Sequence, residues 1–145
     1  MEIRLILEIK ECRAQDVKLL EQWTPSGRSQ THARRFARQQ QGVSTFLIAW
    51  LQGLPTASGE LKWTGCDAPE VREAFPDCPE LNGLQVSPAS ARSQGIGRTL
   101  IGHAEQLARQ RGCGQLGLGV DDVNFRAAAL YLRLGYTETG CHYTD

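Results

Sequence analysis

One stretch limits what this chain can fold into more than any other: Val86-Ser87-Pro88-Ala89-Ser90-Ala91-Arg92-Ser93-Gln94-Gly95-Ile96-Gly97-Arg98-Thr99, set between a strand and a helix. Residues 81–86 read as the strand, and Pro88 must end it, because proline has no N–H to give to a ladder. From Ile96 the hydrophobic period lengthens. Ile96, Leu100, Ile101, Ala104, Leu107 and Ala108 fall on one helical face, and Arg98, Glu105, Arg109 and Gln110 on the other. A glycine-rich turn therefore opens a helix. The first N–H groups of a helix lack intrahelical acceptors and sit at the positive end of its dipole, so the turn is a seat for an anion. Gly95 and Gly97 have no Cβ and let a phosphate approach the backbone. Gln94, Gly95, Ile96, Gly97, Arg98 and Thr99 are the expected binding segment, with Arg92 and Arg98 adding charge-assisted contacts.

Two widespread phosphate loops do not fit. The dinucleotide fingerprint needs a third glycine where Leu100 stands, and the chain has no Gly-Lys-Ser/Thr of the Walker type. What remains, Arg92-x-x-Gly95-x-Gly97 after a strand ending in Val-x-Pro, resembles the acyl-CoA pyrophosphate loop of the GNAT superfamily of N-acetyltransferases. In that family the strand before the loop splays from its neighbour, and the pantetheine arm pairs with the exposed backbone. The resemblance places that backbone at Leu84, Gln85 and Val86.

The rest of the chain agrees with one α/β domain over residues 1–145. Ile3, Leu5 and Leu7 alternate as a first strand; a helix with Val17, Leu20 and Trp23 follows, with Asp16 in its cap or first turn, and Thr24-Pro25-Ser26-Gly27 ends it. A second helix is expected over 30–40, with Phe36 and Ala37 inward and Arg34, Arg35 and Arg38 on its other faces. Residues 43–51 and 56–63 form a hairpin around Gln52-Gly53-Leu54-Pro55. An acidic, proline-rich loop over 65–79 carries one helical piece over 70–75. After the glycine-loop helix come a strand marked by Leu116, Leu118 and Val120, a helix over 125–134 capped by Asp121, Asp122 or Asn124, and a last short strand from Tyr136. The order β-α-α-β-β-β-α-β-α-β matches the GNAT fold.

The second motif, Asn124-Phe125-Arg126-Ala127-Ala128-Ala129-Leu130-Tyr131-Leu132-Arg133-Leu134-Gly135-Tyr136, is similar to the family's Asn-x-x-Ala-x-x-x-Tyr-x-x-x-Gly-Phe/Tyr segment at every keyed position. The two motifs together cover 81–136. Ala127 and Tyr131, four apart, share a helix face. The resemblance implies that Asn124 and Ala127 lie along the pantetheine arm and that Tyr131 stands near the sulfur as the general acid. The implied reaction is direct attack of a primary amine on the thioester of acetyl-CoA, the cosubstrate, with no metal. The acceptor is a small-molecule amine or a peptide.

Two departures from the family matter. Relatives often carry a Glu-Asp pair where Asn82 and Gly83 stand, so Glu80 at the strand entrance and Glu60 on the preceding strand are the available bases, acting through water. Relatives also complete the sheet with a further long strand, which is short or missing before Asp145. An open edge would then invite pairing with a second copy. A second reading follows from the same departures: a CoA-binding module of this fold that no longer catalyses and serves as sensor or assembly part.

Composition excludes other classes. With 16 basic and 16 acidic residues the formal charge is zero, which gives no general attraction to nucleic acid or anionic membrane. No apolar run approaches the ~18 residues of a membrane span. Cys12, Cys66, Cys78, Cys113 and Cys141 are odd in number and scattered, which points to free thiols in a reducing, cytoplasmic setting and offers no zinc-ligand spacing.

Overall fold

The computed structural model describes residues 1, 7–87, 95–120 and 124–139. The first strand of the sheet is β1 (Leu7–Glu11), and α1 (Ala14–Trp23) follows it. Asp16 opens that helix by accepting the Arg13 backbone N–H at 2.8 Å. A short 3-10 turn at Gly27–Ser29 leads into α2 (Thr31–Gln40), then the hairpin β2 (Ser44–Leu51) and β3 (Leu54–Lys62). The acidic loop contains α3 (Pro69–Ala74); β4 (Glu80–Val86), α4 (Ile96–Gln110), β5 (Gly117–Leu118) and α5 (Phe125–Arg133) complete the described chain.

The strands form one mixed sheet in the order β1-β2-β3-β4-β5, antiparallel except for the parallel pair β4 and β5. Strand alternation divides the side chains between two layers. Leu47, Ala49, Ala57, Leu61 and Leu81 pack with Ile96, Leu100, Ile101 and Ala104 of α4 and with Tyr131 of α5. Phe46 and Ile48 face the other way and pack with Leu20 of α1, Cys12 and Phe36 of α2.

β4 breaks its own alternation. Gln85 pairs with Ser58 and Asn82 with Glu60, so Gly59 stands opposite two residues, Gly83 and Leu84, and β4 bulges there. Gly83 takes the left-handed conformation, φ 63°. The extra residue returns Leu84 and Val86 to the α4 layer with Leu81. The spacing Leu81-x-x-Leu84-x-Val86 is the sequence trace of this slip.

Beyond the bulge β4 parts from β5. The parallel pairing involves Glu80 and Leu81 alone, and its last bond runs from Gly119 N–H to Leu81 C=O at 3.1 Å. The strand expected around Leu116, Leu118 and Val120 is therefore cut to two residues, because the turned half of β4 offers it no ladder. Three other expectations change. Ala37 is exposed, and Arg35 and Arg38 turn inward to Glu60. Residues 136–139 form no strand. Cys141 and Tyr143, and with them the edge proposed for pairing a second copy, lie outside the described residues, as do Asp121 and Asp122. Among the described residues no helix is long and apolar enough to cross a membrane.

A Cβ on Gly83 would stand 1.7 Å from Nη2 of Arg35. Gly83→Ala therefore meets both a positive φ and a buried guanidinium. The expected cost is about 1–3 kcal/mol, read by denaturant unfolding, and adding Arg35→Ala should recover the steric part.

Candidate active site

The parting of β4 and β5 opens a gap with a defined lining. Ser87 donates its N–H to Thr56 C=O on β3 at 2.8 Å. Donor direction alternates along a strand, so the N–H groups of Val86 and Leu84 point away from β3 into the gap, while that of Gln85 belongs to the β3 side. Of the three backbone positions expected to meet a ligand, two thus face the opening, and Gln85 presents its side chain to the α1 and α2 layer.

At the far end of the gap stands the N-terminus of α4. Gly95 is its N-cap, left-handed at φ 78°, with no side-chain cap and no acidic residue in the first turn. The first bond of the helix is Thr99 N–H to Gly95 C=O at 3.0 Å, supported by Thr99 Oγ1–H to the same oxygen at 2.8 Å. The N–H groups of Ile96, Gly97 and Arg98 are thus left without helix acceptors. A Cβ on Gly97 would make ordinary contacts at 3.7 Å with Leu84, 3.8 Å with Leu130 and 3.9 Å with Val86, so β4, α4 and α5 meet at this position. Arg98 and Thr99 are exposed. Arg92 and Gln94 lie outside the described residues.

α5 packs in the same layer, with Leu130 beside Gly97. Asn124 is its N-cap and accepts the Ala127 N–H at 3.1 Å through Oδ1, which leaves the side-chain NH₂ to point outward. Ala127 is half-buried against the main core, and Tyr131, one turn on, is 7 % exposed. The Tyr131 ring sits 6.5 Å from that of Tyr136, tilted. Burial raises the pKa of the Tyr131 hydroxyl, so it keeps its proton at neutral pH.

On the opposite face of the sheet the two expected bases are already engaged. Glu60, 2 % exposed, accepts Arg38 Nε–H at 2.6 Å and Nη2–H at 2.8 Å, and the Ser44 hydroxyl at 2.8 Å; Arg35 Nε lies 3.9 Å away. Burial works to raise its pKa, but the hydrogen bonds from Arg38 and Ser44 and the two guanidinium charges prevail and hold it below the ordinary carboxylate range. Such a group anchors α2 to β3 and takes no proton near neutrality. Glu80, 5 % exposed, accepts the Asp67 N–H at 2.9 Å at the root of the acidic loop. Burial, with the nearby Asp67 charge, raises its pKa. Asp67 itself is bound by Lys62 at 3.2 Å and by the Asn82 amide at 2.8 Å. The Asn82 Oδ1 is buried without a partner among the described residues.

The Arg38–Glu60 pair and the role of Asp67 were not read from sequence. A signal existed: Arg35 and Arg38 are three apart on one face of α2, and Glu60 shares the inward parity of Ser58 and Lys62.

Comparison with known proteins agrees with this fold. A transcriptional regulator from Bacillus halodurans superposes with a TM-score of 0.76 at 17% identity, over 97% of this chain and 99% of that one. An aminoglycoside N-acetyltransferase, AAC(6')-Iy, in complex with the bisubstrate analogue CoA-S-monomethyl-acetylneamine, superposes with a TM-score of 0.74 at 18% identity, over 97% of each chain. These likenesses show that the chain shares the fold of both proteins. The profile of the acetyltransferase (GNAT) family matches residues 11–136, and the chain belongs to that family. Streptothricin acetyltransferase of Streptomyces lavendulae is 42% identical over 60 residues, which is 41% of this chain and 31% of that protein. The match thus spans about a third of that curated relative's length.

The Glu60 cluster sets a pH dependence. A depressed folded-state pKa stabilises fully above the ordinary glutamate value of about 4.3, and that contribution disappears as pH falls through the depressed value. Glu60→Gln should cost about 2–3 kcal/mol at pH 7, the lower end for a broken buried pair because Arg38 is 40% exposed. Its unfolding free energy should also vary less than the parent's between about pH 5 and 3, as urea titrations at stepped pH would show.

Proposed function

We propose that this chain transfers an acetyl group from acetyl-CoA to a primary amine by direct attack on the thioester, as a single catalytic domain. What supports this reading is that the Leu84 and Val86 N–H groups turned away from β3, the uncapped start of α4, and the protonated hydroxyl of Tyr131 belong to elements that pack in one core layer. The N–H groups of Ile96, Gly97 and Arg98 suit a pyrophosphate, since they present donors and the helix dipole to an anion without a competing carboxylate. The N–H of Leu84 or Val86 suits the thioester oxygen as an oxyanion donor, and the NH₂ of Asn124 suits an amide of the pantetheine arm.

When bound, the thioester supplies the electrophilic carbonyl; the chain supplies position and protons. Attack forms the C–N bond and breaks the C–S bond, and Tyr131 gives its proton to the departing sulfur. Asn82 Oδ1, buried and without a partner, is suited to accept an N–H of the incoming amine beside the bulge. The acidic loop with Asp67, Glu70, Glu73 and Asp77 favours a cationic acceptor by its charge, while Glu60, paired with two arginines, and Glu80 present no open carboxylate to it. The named acceptors of the relatives, streptothricin and an aminoglycoside, support an acceptor of this kind. The four free thiols among the described residues, three of them buried, support a reducing, cytoplasmic setting.

The test is release of CoA from acetyl-CoA on addition of streptothricin, neamine or an N-terminal alanine peptide. At least one should be acetylated at a rate proportional to enzyme, and no release with any primary amine would contradict the assignment. For the best acceptor, Tyr131→Phe should lower kcat roughly a hundredfold or more while CoA affinity by calorimetry changes little. An unchanged kcat where chemistry limits turnover would return Tyr131 to a packing role.

A further inference from the structure

The reaction proposed above needs a group to take the first proton from an ammonium acceptor, and both carboxylates of the site are engaged. A different residue has the required lone pair. His32, in the first turn of α2, is 4 % exposed and stacks parallel to Phe46 with ring centroids 6.3 Å apart. Its Nε2 lies 2.7 Å from the Thr24 carbonyl oxygen. A carbonyl only accepts, so Nε2 carries the proton and the neutral ring has its lone pair on Nδ1. Nδ1 is buried and has no hydrogen-bond partner among the described residues. A buried acceptor left unpaired carries its full desolvation penalty, so this nitrogen calls for a partner.

Beside the same ring is a small cavity with room for about one water. Apart from His32 its polar lining is Thr24, Thr56, Ser58, Gln85 and Ser87. Gln85 belongs to the half of β4 that lies beyond the bulge and is exposed, and Ser87 directly follows that strand, so the cavity reaches from the α2 layer to the strand that would hold the thioester.

We propose that His32, through one water in this cavity, is the proton acceptor for the amine, an inference that rests on the acetyl-transfer reading. The ammonium gives a proton to the water, and the water gives one to Nδ1. The freed nitrogen attacks, and its second proton replaces the one that Tyr131 gave to sulfur; His32 returns its proton to solvent. The imidazolium then donates from both nitrogens, to the Thr24 carbonyl and to the water. The charged and titratable groups around it are few. Glu21 on α1 lies close enough to interact electrostatically with His32, and Arg35, one turn further along α2, lies over the Phe46 ring at 5.7 Å from its centroid. From β2, β3, β4 and the residue after β4 the groups beside the ring and the cavity are Phe46, Thr56, Ser58, Gln85 and Ser87, all neutral.

His32→Gln separates this role from a structural one, because the glutamine amide can still donate to Thr24 C=O but offers no base at the Nδ1 position. With neamine or the alanine peptide as acceptor, whichever the parent acetylates faster, the variant should lose about a hundredfold in kcat/KM at pH 7. Activity should return toward the parent's at pH 9 and above, where the amine sheds its own proton, and CoA affinity should be unchanged. A crystal structure of the parent should place a water within hydrogen-bond reach of Nδ1. Loss of the same size at every pH, activity within twofold of the parent at pH 7, or a dry Nδ1 would each overturn the proposal. None of these results bears on the acetyl-transfer reading, which fails only if the parent releases no CoA with any amine.

Discussion

The bulge at Gly83 is the constraint on which the rest depends. One residue without a partner on β3 turns the second half of β4, ends its pairing with β5 at Leu81, and leaves the N–H groups of Leu84 and Val86 facing a gap. The same slip keeps Leu84 and Val86 in the α4 layer, where they meet Gly97. A regular strand would have paired to its end and put those two leucine and valine side chains under α2. The opening in the sheet and the placement of the α4 N-terminus beside it thus have one cause.

The second support is electrostatic. α2 is held to β3 by Arg38 and Glu60, with Ser44 filling a further acceptor site of the carboxylate. That anchor engages the carboxylate fully, and it carries Arg35 to the bulge and His32 to the cavity beneath β4. A charged pair with Glu60 at 2 % exposure contributes little net stability over a well-packed apolar substitute, because desolvation offsets the attraction. Its consequence is geometric: it sets where one face of α2 lies.

Much of this was legible in the residues. The change of period at Ile96, the glycines at 95 and 97, and the Asn124, Ala127 and Tyr131 spacing located both helices that line the gap, because period and capping are local properties. The inward turn of Arg35 and Arg38 was not legible, since arginines on an amphipathic helix look solvent-directed until the partner on another strand is known. The short β5 was missed for a related reason: Leu116, Leu118 and Val120 alternate well, but a strand forms only where a neighbour offers a ladder. Asn82 and Gly83 were read as the loss of a catalytic pair; their positive content, a bulge and a clamp on Asp67, depends on register, which sequence alone leaves open.

Hydrogen exchange of the backbone amides with and without CoA tests the central claim most directly, because it observes the donors themselves. Added CoA should slow exchange at Leu84 and Val86 and at Ile96, Gly97 and Arg98, while Gln85, turned toward β3, and the amides of β2 change little. Unchanged exchange at the first two groups under saturating CoA, or protection confined to other parts of the sheet, would contradict the account.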